Sequence, residues 1–174
     1  MKKIAKFEKV SFEQFYKDFK EIIKKEEWNN AEEFDDKAIK EIYDNIKIPK
    51  RATTGSAGYD FFIPVCAVLY SNQYAIIPTG IRCKIEDGWV LNLYPRSGLG
   101  FKNKLHLYNT VGVIDSDYYN SDNEGHILAK ITVGHETHID MGEAFIQGVF
   151  VPYGITEDDN VTETRNGGFG STDK

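Results

Sequence analysis

The chain has few of the features that mark secreted or membrane proteins. Its only two cysteines, Cys66 and Cys83, lie in strand-like apolar surroundings, so we expect buried, reduced thiols rather than a disulfide framework. The longest apolar run, residues 61–69, is interrupted by Pro64 and is too short to cross a membrane. No apolar stretch follows residues 1–6, so the sequence predicts no secretory signal and a cytoplasmic location.

A concentrated positive charge is also missing. The net charge is −6, and in residues 48–174 acidic side chains outnumber basic ones, with no cluster of Lys or Arg. Binding to duplex nucleic acid depends on neutralising many phosphates, so we expect no duplex nucleic-acid partner. A small anionic ligand is still compatible with this composition, because a few Arg side chains and backbone N–H groups suffice for it.

Glycine and proline are absent from residues 1–47, where almost half of the side chains are charged. Ser11 and Gln14 fit a capping box, and apolar residues then recur at helical spacing. They are Phe12, Phe15, Phe19, Ile22 and Ile23. The pair Asn29-Asn30 can cap a second helix, which ends before Pro49. Its apolar stripe is Phe34, Ala38, Ile42, Tyr43 and Ile46. We predict a helical extension over residues 1–47 that docks on the rest of the protein or on a protein partner.

From residue 48 onward the pattern changes to short apolar runs separated by Gly, Asp and Asn, and every Gly and Pro of the chain lies here. Many short strands at such spacing predict an all-β sandwich or barrel, which we assign to residues 48–156. Residues 157–174 are acidic and then Gly-rich. We expect this arm to be ordered only by a ligand or a neighbouring subunit.

Two segments of the β region carry residues suited to phosphate chemistry. Residues 95–100 (PRSGLG) combine an Arg, a hydroxyl and glycines at a strand end, which can bind phosphate oxygens or form an ordinary turn. Residues 112–118 (GVIDSDY) place Asp115 after apolar residues, so its carboxylate should be half-buried. Such a carboxylate can serve as a general base or make a simple turn hydrogen bond.

The C-terminal arm carries a third candidate segment, residues 165–172 (RNGGFGST). Its Arg, aromatic ring and hydroxyls can fold over a bound nucleotide, and the alternative is a disordered terminus. A fourth segment, residues 57–60, is by itself only a turn that enters a strand. His106 and His126 are interpreted as ordinary strand positions.

Together these segments resemble the trimeric dUTP diphosphatase (dUTPase) family over residues 48–174. Five family motifs occur in order: residues 55–60 (GSAGYD), 95–100, 109–118 (NTVGVIDSDY), 142–147 (GEAFIQ) and 165–172. The resemblance implies a mainly β fold with a distorted antiparallel β-barrel or jelly-roll core, here with an N-terminal two-helix extension. It also implies a homotrimer with shared active sites. The implied enzyme hydrolyses dUTP to dUMP and pyrophosphate, which limits uracil in DNA and supplies dUMP for thymidylate synthesis.

The resemblance also implies a role for individual residues. Asp115 matches the general base that activates a water for in-line attack on the α-phosphorus. Base and sugar contacts fall on Asn109, Tyr118 and Phe169, with the tyrosine beneath the deoxyribose and the phenylalanine as a lid over uracil. Phosphate contacts fall on Arg96, Ser97, Gly98, Gln147, Arg165, Gly170, Ser171 and Thr172. The implied cofactor is Mg²⁺, with Asp60 acting on it indirectly through water.

The sequence departs from the family pattern just after the third motif, and two rival functions are still open. Residues 119–125 lengthen the hairpin after the third motif. A dCTP deaminase on the same fold would need a Glu soon after that hairpin, and residues 127–130 (ILAK) offer none. The other rival is a nucleotide-sensing regulatory protein that docks a partner through residues 1–47.

Overall fold

A computed structural model describes residues 2–25, 34–163 and 165. Its strands are β1 (Ala5–Lys9), β2 (Lys50–Arg51), β3 (Tyr59–Phe62), β4 (Ala67–Leu69), β5 (Tyr74–Pro78), β6 (Ile81–Ile85), β7 (Trp89–Pro95), β8 (His106–Leu107), β9 (Gly112–Ile114), β10 (Leu128–Thr132), β11 (Thr137–Ile139) and β12 (Ala144–Pro152). Its helices are α1 (Phe12–Lys25), α2 (Asp36–Asp44), α3 (Ser97–Asn103) and a 3-10 helix (Ser116–Asn120). No helix among these residues has the length and apolar character needed to cross a bilayer.

The strands pair antiparallel throughout the described residues, which confirms the mainly β prediction. The largest sheet has five strands in the order β2-β3-β12-β7-β9. A second sheet contains β5-β10-β8, and two strand pairs, β1-β6 and β11-β4, complete the set. The long strand β12 lies at the centre of the largest sheet, so β3 and β7 flank it and bring the ends of distant chain segments together.

Residues 1–47 contain a strand, β1, that the sequence did not predict beside the two helices. The strand pairs with β6 from Ala5 opposite Ile85 to Lys9 opposite Ile81. From Ala5 to Glu8 its side chains alternate between apolar and charged, as in a half-buried strand, and Lys9 breaks the alternation. The ring of Phe7 lies 5.3 to 5.8 Å from three other aromatic rings. These are Tyr59, Phe61 and Phe150.

Both predicted helices are present. Helix α1 begins where the capping residue predicts, and the Ser11 hydroxyl accepts a hydrogen bond from the Gln14 N–H at 3.1 Å. Helix α2 is capped by Asp35, whose carboxylate accepts from the Ala38 N–H at 2.7 Å. The pair Asn29-Asn30, predicted as the cap of this helix, lies outside the described residues.

The helices pack against the β-sheets and contribute to the same core. Phe15, Phe19 and Ile39 are fully buried, and they share one cluster with strand residues such as Ile77. Gly80 shows how closely the two parts approach. It has a φ of +70°, and a Cβ atom there would lie 2.2 Å from the Cδ1 atom of Ile46. The apolar faces of α1 and α2 are therefore occupied within the chain itself.

The two cysteines are free thiols in different environments. Cys83 lies on β6, where burial raises the pKa of its thiol to about 12, so the thiol stays protonated at neutral pH. Cys66 is exposed, which corrects the expectation that both thiols are buried.

Candidate functional site

Three predicted site residues meet at one end of the largest sheet. The register places Gln147 of β12 opposite Asp60 of β3 and Tyr94 of β7, and Arg96 follows the end of β7. The Arg96 Nε atom lies 3.0 Å from Asp60 Oδ1, and the Gln147 side-chain amide donates to the Pro95 carbonyl at 3.1 Å. We call Asp60, Arg96 and Gln147 the strand-end cluster. It presents a guanidinium that is held in place by a carboxylate on a neighbouring strand.

Gly58, in the first motif, leaves room for this cluster. A Cβ atom at this position would lie 2.4 Å from Gln147 Oε1, so any larger residue would displace the glutamine side chain. From the sequence alone Gly58 was only part of a turn, and the structure shows that packing against Gln147 requires a glycine at this position.

Residues 95–100 run from the end of β7 through the N-cap into the first turn of α3, whereas the sequence indicated a phosphate-binding segment or an ordinary turn there. Arg96 is the N-cap residue of this helix, and Ser97 and Gly98 are exposed in its first turn. The first N–H groups of any helix have no partner within the helix. A Cβ atom at Gly98 would meet nothing within 4 Å, so packing within this chain does not require the glycine. The segment offers N–H donors, a hydroxyl and a guanidinium on one open surface, which suits an anion.

Asp115 lies in a second group, at the end of β9. It is the N-cap residue of the 3-10 helix, and its side chain is 44% exposed, so the prediction of a half-buried carboxylate is confirmed. Arg165 from the arm lies against it, with Nη2 at 2.5 Å from Asp115 Oδ2 and Nε at 3.1 Å from Asp117 Oδ1. We call Asp115, Asp117 and Arg165 the carboxylate cluster. One guanidinium faces two carboxylates here, so a bound polyphosphate would compete with them for it.

Tyr118 is buried next to the carboxylate cluster. Its hydroxyl donates to the His126 carbonyl at 2.8 Å and accepts from the Asn123 side-chain amide at 2.8 Å. Burial raises the pKa of this hydroxyl, so it stays protonated as a donor. The Arg165 guanidinium carbon lies 5.7 Å from the ring centroid. The ring is therefore fixed through its hydroxyl, while a cation lies against the ring itself.

Asn109 lies in an exposed turn between β8 and β9. The next residue, Thr110, has a φ of +66°, which is unusual for a β-branched residue. Strain of this kind costs on the order of 1–3 kcal/mol and occurs mostly at functional sites. The Val111 N–H donates to the Asn109 carbonyl at 2.8 Å, which closes the turn.

The two clusters lie far apart within one chain. Asp115 follows Ile114, which pairs with Leu91 of β7, whereas Arg96 follows Pro95 at the end of the same strand. The interval from Leu91 to Pro95 corresponds to roughly 13 Å of extended strand. The described residues therefore bring the predicted base together with one predicted phosphate contact, Arg165, but not with those of the strand-end cluster and the first turn of α3. Four predicted residues of the arm lie outside the described residues: Phe169, Gly170, Ser171 and Thr172.

Sequence analysis missed the structural role of His126. It is fully buried rather than an ordinary strand position, and its ring lies 2.6 Å from the Asp18 carboxylate. Glu124 was also missed, although it contacts Ser11 at the start of α1. Burial alone would raise the pKa of Glu124, but hydrogen bonds from Ser11 and the nearby Arg82 outweigh it and lower the pKa. No local pattern marks these contacts, because the partners are more than a hundred residues apart.

The described residues offer no ready-made cage for the implied Mg²⁺. Within residues 2–25, 34–163 and 165, no group of three or more His, Cys, Asp or Glu side chains could hold a metal ion. Mg²⁺ keeps several waters and prefers substrate phosphates to a cage made of protein ligands alone. An Mg²⁺ ion held mainly by substrate phosphates and waters would need no such group of protein ligands.

Comparisons with known proteins show what the chain is similar to. A family model described as dUTPase matches residues 44–173. The chain is 43% identical over 132 residues to the deoxyuridine 5'-triphosphate nucleotidohydrolase of Lactococcus lactis, covering 73% of this chain and 88% of the relative. The crystal structure of dUTPase from Streptococcus mutans superposes with a TM-score of 0.57 and 37% identity, covering 63% of this chain and 88% of that one. A point mutant of the dUTPase from phage phi11 of S. aureus, whose structure describes a structural Mg(II) ion, has a TM-score of 0.55 and 25% identity, covering 68% of this chain and 92% of that one.

Proposed function

Since the chain belongs to the dUTPase family, we propose that it hydrolyses dUTP to dUMP and pyrophosphate by attack of an activated water on the α-phosphorus. The observation that carries the proposal is the position of Asp115. Its carboxylate is accessible at the end of β9, and Tyr118 follows it by one turn of the 3-10 helix, where the Tyr118 N–H donates to the Asp115 carbonyl at 3.3 Å.

Asp115 acts as the general base. A water held by its carboxylate loses a proton as its oxygen attacks the phosphorus, and pyrophosphate leaves in line. Arg165 covers this carboxylate in the structure, so binding of a triphosphate has to draw the guanidinium from the carboxylates to the phosphate oxygens. The arm then closes the site, and Phe169, Gly170, Ser171 and Thr172 contact the base and the phosphates.

The strand-end cluster and the first turn of α3 bind the phosphates. Arg96 supplies charge, Ser97 and Gly98 supply a hydroxyl and N–H groups, and Gln147 holds the strand end on which Arg96 is placed. When bound with the triphosphate, Mg²⁺ would supply positive charge to its phosphates, and Asp60 would hold one of the waters of the ion. Asn109 reads the uracil edge from its turn, and Tyr118 packs beneath the deoxyribose.

The separation of the two clusters supports active sites that are shared between subunits. General-base catalysis requires Asp115 to lie close to the attacked phosphorus, whereas the phosphate contacts lie at the other end of β7. In a homotrimer the strand-end cluster of one chain can face the carboxylate cluster of the next. We therefore propose a homotrimer in which each site takes Asp115 and Arg96 from different chains.

Product analysis tests the proposed activity. The purified chain is incubated with Mg²⁺ and, separately, with dUTP, dCTP and dTTP, and pyrophosphate, dUMP and ammonia are measured. We expect pyrophosphate and dUMP from dUTP. Turnover of dCTP should be at least ~10²-fold slower, because the cytosine edge leaves polar groups of a uracil-binding site unpaired, and turnover of dTTP at least ~10-fold slower, because its 5-methyl group needs space beside C5 of the base. Ammonia from dCTP would indicate a deaminase instead. Absence of pyrophosphate from dUTP would rule out the proposed activity.

A further inference from the structure

Helix α1 contacts the segment between β9 and β10, which carries Tyr118, at two points on one helix face. Ser11 and Asp18 are about two helical turns apart, so they lie on the same side of α1. At the first point, Glu124 accepts hydrogen bonds from the Ser11 N–H at 2.8 Å and from its hydroxyl at 2.6 Å. At the second point, an Asp18 carboxylate oxygen lies 2.6 Å from His126 Nδ1. The segment between β9 and β10 is therefore fastened to α1 at both points.

The surroundings of His126 fix its tautomer. The Gly80 N–H donates to Nε2 of the ring at 2.8 Å, so Nε2 must carry a lone pair and Nδ1 must carry the proton. The Nδ1–H group then donates to Asp18, whose side chain is only 12% exposed. Phe15 of α1 packs on the same ring, with centroids 6.0 Å apart. Both ring nitrogens and one ring face are thus engaged.

The backbone of His126 leads directly to Tyr118. Its carbonyl accepts the Tyr118 hydroxyl at 2.8 Å and the Asn123 side-chain amide at 3.3 Å. Asn123 also donates to the Tyr118 hydroxyl, so the three residues form a closed set of hydrogen bonds. The position of the Tyr118 ring therefore depends on where the His126 carbonyl is held. Backbone hydrogen bonds at His126 and Ile127 hold the chain there, and Asp18 and Gly80 hold the ring of the same residue.

We propose that Asp18 and His126 are positioning residues for Tyr118 and that they set how strongly the site prefers a deoxyribonucleotide to a ribonucleotide. This inference rests on the function proposed above, in which Tyr118 packs beneath the sugar. A ring in van der Waals contact with C2′ excludes a 2′-hydroxyl only if the ring cannot move away from the sugar. The hydrogen bonds from His126 to Asp18 and from Tyr118 to the His126 carbonyl prevent this movement.

Two substitutions of Asp18 separate positioning from a general structural role. Asp18→Ala removes the acceptor of the Nδ1–H group, whereas Asp18→Asn keeps a carbonyl oxygen that can accept from it. We measure kcat and KM for dUTP and for UTP, together with the thermal midpoint of each variant. The matched control is Asp36→Ala, because Asp36 accepts an equally short hydrogen bond, 2.6 Å, from the exposed Tyr16 hydroxyl on the helical side of the molecule.

We expect Asp18→Ala to lower the ratio of kcat/KM for dUTP to kcat/KM for UTP at least ~10-fold. The reason is that the site rejects one added hydroxyl only while the tyrosine ring leaves no space for it. The kcat for dUTP should change less than about 3-fold, since β9 holds Asp115 independently of α1. Asp18→Asn should restore the ratio to within about 3-fold of the wild type, and Asp36→Ala should leave it unchanged. If Asp18→Ala does not fold, Asp18→Ser replaces it, because its hydroxyl cannot reach Nδ1 and a water can fill the gap.

The outcomes distinguish this inference from the proposed function. If the wild type hydrolyses dUTP and the ratio is the same in Asp18→Ala and Asp18→Ser, the positioning role is overturned and the activity stands. The positioning role is also overturned if Asp18→Asn lowers the dUTP-to-UTP ratio as much as Asp18→Ala does. The loss of the hydrogen-bond acceptor for the His126 ring would then not be the cause of the change. If the wild type releases no pyrophosphate from dUTP, both proposals are overturned.

Discussion

Replacing Asp115 by Asn is expected to lower kcat for pyrophosphate release from dUTP at least ~10²-fold, the usual effect of removing a general base. The amide has the shape of the carboxylate but cannot take a proton from the attacking water. The fold should not change, because Asp115 caps the 3-10 helix without a side-chain hydrogen bond and Arg165 keeps its second partner, Asp117. The measurement is steady-state pyrophosphate release with Mg²⁺, with the thermal midpoint as a check of folding.

A matched control is available in the turn before β12. Asp140 is 77% exposed and pairs only with the exposed His138 there, so Asp140→Asn should leave kcat within about 2-fold. If Asp115→Asn also retains a rate within a few-fold of the wild type, Asp115 is not the base and the mechanism proposed for the carboxylate cluster is wrong.

Removing residues 1–47 is expected to abolish folding. The deletion removes β1, which is the only partner strand of β6 among the described residues. The backbone N–H and C=O groups of β6 that pair with β1 would then be unpaired. It also removes fully buried side chains, of which Phe15 and Phe19 are the largest. Truncating one buried Phe costs about 3–5 kcal/mol, and domains of this kind have about 5–15 kcal/mol of total stability. We expect the truncated chain to be insoluble or to show no cooperative thermal transition.

Point substitutions on α1 provide the control for this deletion. Phe19→Ala should lower the free energy of unfolding by about 3–5 kcal/mol, whereas Lys17→Ala, at an exposed position of the same helix, should change it by less than about 0.5 kcal/mol. A truncated chain that folds cooperatively and hydrolyses dUTP would contradict this account. Residues 1–47 would then be an appendage whose buried face is available to a protein partner.

The helices and the motifs could be predicted because their signals are local. The spacing of Phe12, Phe15 and Phe19 predicts an amphipathic helix, and Ser11 marks its first turn, as the structure confirms. The second hydrogen bond of the predicted capping box, from the Ser11 N–H to the Gln14 side chain, is wrong. The Ser11 N–H donates to Glu124, 113 residues away, and no pattern near Ser11 could indicate that partner.

The remaining differences arise where tertiary contacts override local preference. The segment Ala5–Lys9 is too short and too charged to be recognised as a strand, and it becomes one because β6 offers it a partner. Two glycines in α3, Gly98 and Gly100, disfavour a helix by about 1 kcal/mol each, so the sequence predicted a turn. His126 gave no sign of its buried position, since its contacts come from α1 and from Gly80.

Complementation between two inactive variants tests most directly the claim that the strand-end cluster and the carboxylate cluster form one site across a subunit boundary. Asp115→Asn and Arg96→Gln are purified separately and as co-expressed mixed trimers, and pyrophosphate release from dUTP is measured. Each variant alone should be nearly inactive. Random mixing in a cyclic trimer pairs an intact Asp115 with an intact Arg96 from the neighbouring chain at about a quarter of the sites, so the mixture should recover about a quarter of wild-type activity. A mixture no more active than its parents would show that the two clusters do not act together across a subunit boundary.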